Sequence, residues 1–212
     1  MKSLVLAVAM LALTAGAASA EIIIVGGSVP GNPAENVLLN TGASGLTITG
    51  TTNQTGSLVT FTGLESLTEP SNGQARIEAT DGDYTSLQFF LSDPTKSFTS
   101  AEFNINAIAN GMVTIAATDQ IGTVFTQTFD LGANGENFFN LTTTGGESIK
   151  NVLITSTSQI ADTRQIRLGG ISGLTPGVPE ASTWAMMIFG MGGVGATLRR
   201  RRQQGAGKLA VA

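Results

Sequence analysis

Between residues 21 and 171 the chain alternates apolar and polar side chains with a period of two. Ala75, Ile77 and Ala79 are interleaved with Arg76 and Glu78. Leu87, Phe89 and Leu91 alternate with Gln88 and Phe90, and Phe103, Ile105 and Ala107 with Glu102, Asn104 and Asn106. Successive side chains of a strand point to opposite faces, so this is the pattern of half-buried strands in antiparallel sheets, one face in a core and one in water. Further strands are predicted over 45–49, 58–62, 112–118, 123–130, 150–156 and 165–171, each rich in Val, Ile, Thr or Phe. Residues 21–28 read as an edge strand or a loose start.

Turn chemistry separates these runs: Asp81-Gly82-Asp83, Ser92-Asp93-Pro94, Asn110-Gly111 and Gly145-Gly146 among them. Asn110-Gly111 reads as a tight hairpin joining a strand over 98–109 to one over 112–118, because Asn and Gly tolerate the positive φ angles of a two-residue turn. Nine or so short strands punctuated in this way predict an all-β fold, an antiparallel β-sandwich of jelly-roll-like form. No segment of this region has a helical period. In the doublets Phe89-Phe90 and Phe138-Phe139, alternation sends one ring into the core and the other outward.

The two ends follow other rules. Lys2, the apolar run 4–13 and the small-residue site Ala18-Ser19-Ala20 have the order of a secretory signal peptide, so residues 1–20 are expected to be removed and the mature chain to start at Glu21. At the other end, residues 183–198 form a 16-residue span without charge. As a helix it would be about 24 Å long, short against a hydrocarbon core of about 30 Å. Arg199, Arg200, Arg201 and Arg202 close it, and such a basic block stays on the cytoplasmic side, which places Pro179 and everything before it across the membrane. Trp184 stands where an interfacial aromatic belongs. The glycines at 190, 192, 193 and 195 would let a second helix approach closely within lipid.

The tail resembles the PEP-CTERM sorting domain of Gram-negative bacteria, in the subtype with Trp-Ala after the motif. Pro179 and Glu180 match the first two motif positions, Trp184 and Ala185 the Trp-Ala pair, and Arg199 to Arg202 the basic stop. Ala181 departs from the proline usual there. The resemblance implies recognition by an exosortase, an integral membrane protease, and processing of the tail after export. It further implies association with exopolysaccharide and biofilm. Residues 134–170, with Phe138-Phe139-Asn140-Leu141 and Asp162-Thr163-Arg164-Gln165-Ile166-Arg167, are more loosely similar to the ends of passengers that carry this tail. The expected organisation is a signal peptide (1–20), a β-sandwich passenger (21–171), a linker (172–178), a sorting and transmembrane segment (179–202) and a cytoplasmic tail (203–212). The chain would pass through the secretory translocon and an inner-membrane intermediate to the cell surface or the extracellular matrix.

Composition narrows the chemistry. Between residues 21 and 177 there are 14 acidic residues against five basic ones, leaving nine net negative charges where the whole chain shows −4. An acidic passenger without a basic patch argues against nucleic acid as a partner. The chain has no histidine and no cysteine, which removes the usual general base, the Ser-His and Cys-His nucleophile pairs and the N and S ligands of zinc. Carboxylates remain. Glu78, Asp81, Asp83, Glu102, Asp119 and Asp130 have the chemistry of a glycosidase pair, but their spacing singles out no two, and the passenger is expected not to be an enzyme. Asp81 and Asp83, with Glu78 nearby, are the candidate oxygen ligands for calcium; a plain acidic turn is the other reading. The expectation is an exported structural protein of the surface or matrix. The alternatives are a carbohydrate-binding module, calcium-backed or not, and a secreted glycan hydrolase.

Overall fold

The structure is a computed structural model describing residues 21–29, 35–70, 76–133 and 137–173, together with Ile188 and Met191. The chain falls into two units, Ser19–Pro176 and a second made of Met1–Ala18 with Gly177–Ala212. In the second unit Ile188 and Met191 have helical backbone. The predicted signal peptide and the rest of the predicted sorting segment lie outside the described residues. Among the described residues no helix is long and apolar enough to cross a membrane.

The described part of the first unit consists of strands: β1 (Glu21–Gly26), β2 (Glu35–Leu38), β3 (Ser44–Thr52), β4 (Leu58–Thr68), β5 (Arg76–Ala79), β6 (Tyr84–Leu91), β7 (Lys96–Ser97), β8 (Ser100–Ala107), β9 (Gly111–Asp119), β10 (Val124–Leu131), β11 (Asn137–Thr144), β12 (Ile149–Gly169) and β13 (Ser172–Gly173). All pairings between these strands are antiparallel. The passenger is thus the all-β antiparallel sandwich its alternation predicts, and most predicted strands fall within observed ones. Two of them, 150–156 and 165–171, belong to one strand: β12 runs 21 residues. Thr155, Thr157 and Gln159 alternate outward with buried Ser156 and Ser158, so small polar residues carry the strand across the gap.

β12 organises the fold. Its first half pairs with β6 and its second with β2, while β2 pairs with β3, β3 with β4 and β4 with β6. The ladder therefore closes on itself through β12, with β2 joining β12 and β3 by two residue pairs each. Along the other side of β12, β8 and β9 follow one another, from Gly169↔Ser100 to Ile149↔Asp119. This corrects the hairpin expected at Asn110-Gly111: β8 and β9 do not pair but form one interrupted strand beside β12. Gly111 has no positive φ. It is needed because the two backbones come close. The hairpin lies further on, between β9 and β10. There the buried Asp119 carboxylate accepts from the Ile121 and Thr123 N–H groups at 2.9 and 2.7 Å, and Gly122 takes φ 95°. β11 continues back along β8, and β1 pairs with β11.

The core between the layers is built on rings. Phe61, Phe89, Phe103, Phe139 and Phe129 form a chain of contacts with centroids 5.2–6.0 Å apart, in tilted and edge-on geometries that favour aromatic pairs. Phe98 stacks on Phe89 at 6.4 Å. In both doublets the alternation holds: Phe89 and Phe139 are buried, and Phe90 and Phe138 are half-buried on the other face.

Two irregularities in β12 shift which residues face inward. Ile160↔Ala107 is followed by Asp162↔Asn106, and Arg164↔Asn104 by Arg167↔Glu102, so β12 gains one residue over β8 at each step. The inward series thus passes from Ile154 and Ile160 to Thr163 and then to Ile166 and Leu168. Gln165 absorbs the second step in the left-handed region at φ 55°. Thr163, turned inward by the first step, accepts a 2.6 Å hydrogen bond from the Tyr84 hydroxyl, whose pKa burial pushes up.

Candidate functional site

The residues singled out for sorting, Pro179, Glu180, Ala181, Trp184, Ala185 and Arg199 to Arg202, lie outside the described residues, as do Ala18 and Ala20 of the predicted cleavage site. The calcium candidates are described. Asp81 is exposed and Asp83 half-buried in the turn between β5 and β6, with Gly82 at φ 111°. Glu78 turns away to Arg76 at 2.8 Å. Among the described residues no three carboxylates converge as metal ligands, and a calcium ion asks for six to eight oxygens. The geometry of this turn is that of an ordinary acidic β-turn.

The other carboxylates considered for catalysis have structural partners or stand apart. Asp119 holds the β9–β10 turn, and Asp130 is exposed on β10. Glu102 is covered on the outer face of β8, where alternation had predicted a solvated side. One oxygen accepts from Arg167 at 3.0 Å and the other from the Ser28 hydroxyl at 3.0 Å, as the chain leaving β1 passes over it. Glu102 belongs to a polar rung that runs from Asn140 of β11 through Glu102 and Arg167 to Asn36 of β2. On the same face Asp162 accepts from Asn106 at 2.9 Å and faces Arg164 at 3.7 Å. β8 is therefore buried on both sides, and Asn104 and Asn140 keep side-chain amides without a hydrogen-bond partner among the described residues.

A more open site lies where β6 leaves β12. Phe90 pairs with Asn151, and the chain rejoins β12 at the bridge Phe98↔Ile149. A single residue of β12, Lys150, thus stands opposite seven residues, 91–97, so that segment loops outward and leaves a cavity of about 300 Å³ beside the Phe90 ring. Gln88, Pro94, Lys96, Lys150 and Asn151 stand around it. The excursion is pinned at several points. Thr95 donates its N–H and hydroxyl to the Asp93 carboxylate at 2.9 and 2.7 Å, Ser92 N–H donates to Leu58 O at 2.9 Å, and the Lys150 ammonium donates to the Pro94 carbonyl. The bonds from Thr95, and beyond them the charges of Lys96 and Lys150, hold the Asp93 carboxyl below its ordinary pKa.

The charge around this cavity departs from the rest of the domain. Each of the three arginines has a carboxylate partner: Arg76 with Glu78, Arg164 with Asp162 and Arg167 with Glu102. Lys96 and Lys150 are the two lysines of the passenger, both line this cavity, and neither forms an ion pair among the described residues. Sequence reasoning anticipated the outward Phe90 ring but not the lysines, because 54 positions separate them and only the return of the chain to β12 brings them together. A second cavity, about 210 Å³, runs along Ile22 to Ile24 of β1 and Phe125 to Gln127 of β10.

The family model of the PEP-CTERM protein-sorting motif matches residues 177–202. The chain carries that motif, which marks it for export and membrane-anchored sorting by an exosortase. Among curated proteins none matches the sequence. Similar solved structures include a family 29 carbohydrate-binding module from Piromyces equi, 11% identical over 73% of this chain and 92% of that one, with a TM-score of 0.33. A mutant family 29 module follows at 10% identity over 76% and 100% of the two chains, TM-score 0.31. An exo-β-agarase is 14% identical over 70% of this chain and 24% of its own, TM-score 0.30. Scores and identities this low carry neither a ligand nor an activity across.

Proposed function

We propose that this is an exported structural protein of the cell surface or extracellular matrix, delivered through the secretory translocon, processed at its tail by an exosortase and associated with the exopolysaccharide of a biofilm. The sorting motif at 177–202 carries this reading. The passenger is non-catalytic in this proposal. The chain has neither histidine nor cysteine, and among the described residues the carboxylates considered for a glycosidase pair are held in turns and ion pairs or stand apart. A role as a carbohydrate-binding module is favoured by the Phe90 cavity and is developed below.

The test is the intact mass of the mature protein in membrane and medium fractions, in cells with and without the exosortase. Cleavage between Pro179 and Thr183 only when the enzyme is present supports the reading and shows that Ala181 is accepted in the motif. Retention of Arg199 to Arg202 in both strains overturns it and leaves a tethered domain.

A further inference from the structure

We propose that the cavity beside Phe90 binds an acidic saccharide, a sugar ring bearing a carboxylate, with Lys96 and Lys150 taking the charge. The ligand class rests on the reading of this chain as an exported matrix protein; the site itself rests on geometry.

The donors decide the charge of the ligand. Lys96 and Lys150 offer ammonium groups, and an ammonium donates only. The Asn151 carbonyl oxygen already accepts from the Thr118 hydroxyl at 3.2 Å, which leaves its amide NH₂ to donate. The carboxylate in the neighbourhood, Asp93, is engaged by Thr95 and does not line the cavity. A ligand matching this set presents acceptors and negative charge. In a domain with nine net negative charges, two lysines that form no ion pair among the described residues at one cavity are where an anion meets least repulsion.

The floor decides its shape. Phe90 is half-buried, so its ring is held in place by packing while one surface remains open to the cavity. Such a ring accepts the C–H face of a pyranose, while Gln88 and Asn151 flank it with amides that suit hydroxyl groups. The volume, about 300 Å³, lies at the low end of small-ligand sites and suits a short stretch of chain rather than a long groove. The bonds that pin residues 92–97 mean that little ordering is left for binding to supply.

The experiment is calorimetric titration of the full exported chain, purified in detergent, with trisaccharides of galacturonate, mannuronate and glucuronate. Their methyl esters and a tetraglutamate peptide are titrated alongside. At least one free acid is expected to bind, with its methyl ester weaker by about 10-fold and affinity falling as salt rises. Lys96→Gln, which leaves the Lys150–Pro94 contact in place, is expected to weaken binding about 5-fold, and Phe90→Ala about 10-fold, with thermal melting confirming that both variants are folded. Failure of all three acids, equal binding of ester and acid, or equal binding of tetraglutamate overturns the proposal. The result separates from the sorting test. Lost binding with a processed tail removes this site alone, and an unprocessed tail with binding intact removes the sorting reading alone.

Discussion

Gly111 of β9 lies against Ser158 of β12 so closely that a β-carbon on the glycine would stand 2.7 Å from the Ser158 Cβ. The Thr157 hydroxyl would be 3.0 Å away and the Ser158 nitrogen 3.2 Å. Neither the backbone nor the short Ser158 side chain can yield, so Gly111→Ala is expected to push β9 from β12 and destabilise the domain by about 1–3 kcal/mol. Urea unfolding measures this. Asn110→Ala is expected to cost less, about 1 kcal/mol, since it gives up one exposed hydrogen bond, from the Ala133 N–H to the Asn110 side-chain carbonyl at 2.8 Å.

Phe89 and Phe90 are adjacent but face opposite ways. Phe89 touches Phe61, Phe98 and Phe103 in the core, so Phe89→Ala is expected to cost about 3–5 kcal/mol. Half-buried Phe90, truncated in the same way, is expected to cost under about 1.5 kcal/mol. Equilibrium unfolding of the pair tests which ring belongs to the core.

Glu35 is the clearest source of pH-dependent stability. Burial alone would raise its carboxyl, but hydrogen bonds from the Thr55 backbone and hydroxyl and from Gln54 N–H outweigh it, and the pKa falls below the ordinary 4.5. A carboxyl lowered by folding stabilises the native state at pH above its unfolded value, and the contribution is lost as pH drops through the lowered one. Glu35→Gln is therefore expected to destabilise by about 1–3 kcal/mol at pH 7, with a difference from the parent that shrinks in acid. Melting temperatures from pH 7 down to about 3 check this.

Glu147 behaves in the opposite sense. Burial first, and then repulsion from Asp119, raise its pKa, and one of its oxygens is buried without a hydrogen-bond partner among the described residues. Its charge opposes folding at neutral pH, and stability is regained as pH falls through the raised value. Glu147→Gln is expected to raise Tm by about 1–2 °C at pH 7, with the gain fading in acid. A lower Tm at pH 7 would contradict it.

Much of the fold was legible because period-two alternation is a local property. The ring positions of both doublets followed from it. β2 and β11 were missed: β2 has four residues, and β11 carries its polar Asn140 buried, so neither shows a clean alternation. The polar face of β8 was misread because alternation tells which residues share a face, not what lies over it; Ser28 and Arg167 reach Glu102 from distant parts of the chain.

The sequence by itself determined the strand-rich passenger, its acidic charge and the sorting tail, since each is written in contiguous residues whose period, charge or order can be read without knowing what they touch. Only the tertiary structure decided that Asn110-Gly111 interrupts a strand instead of turning it, that β12 closes the sheet, and that Lys96 and Lys150 meet beside Phe90. Those facts depend on register between strands far apart in the chain. Register is set by the sum of many cross-strand contacts, and no single segment carries it.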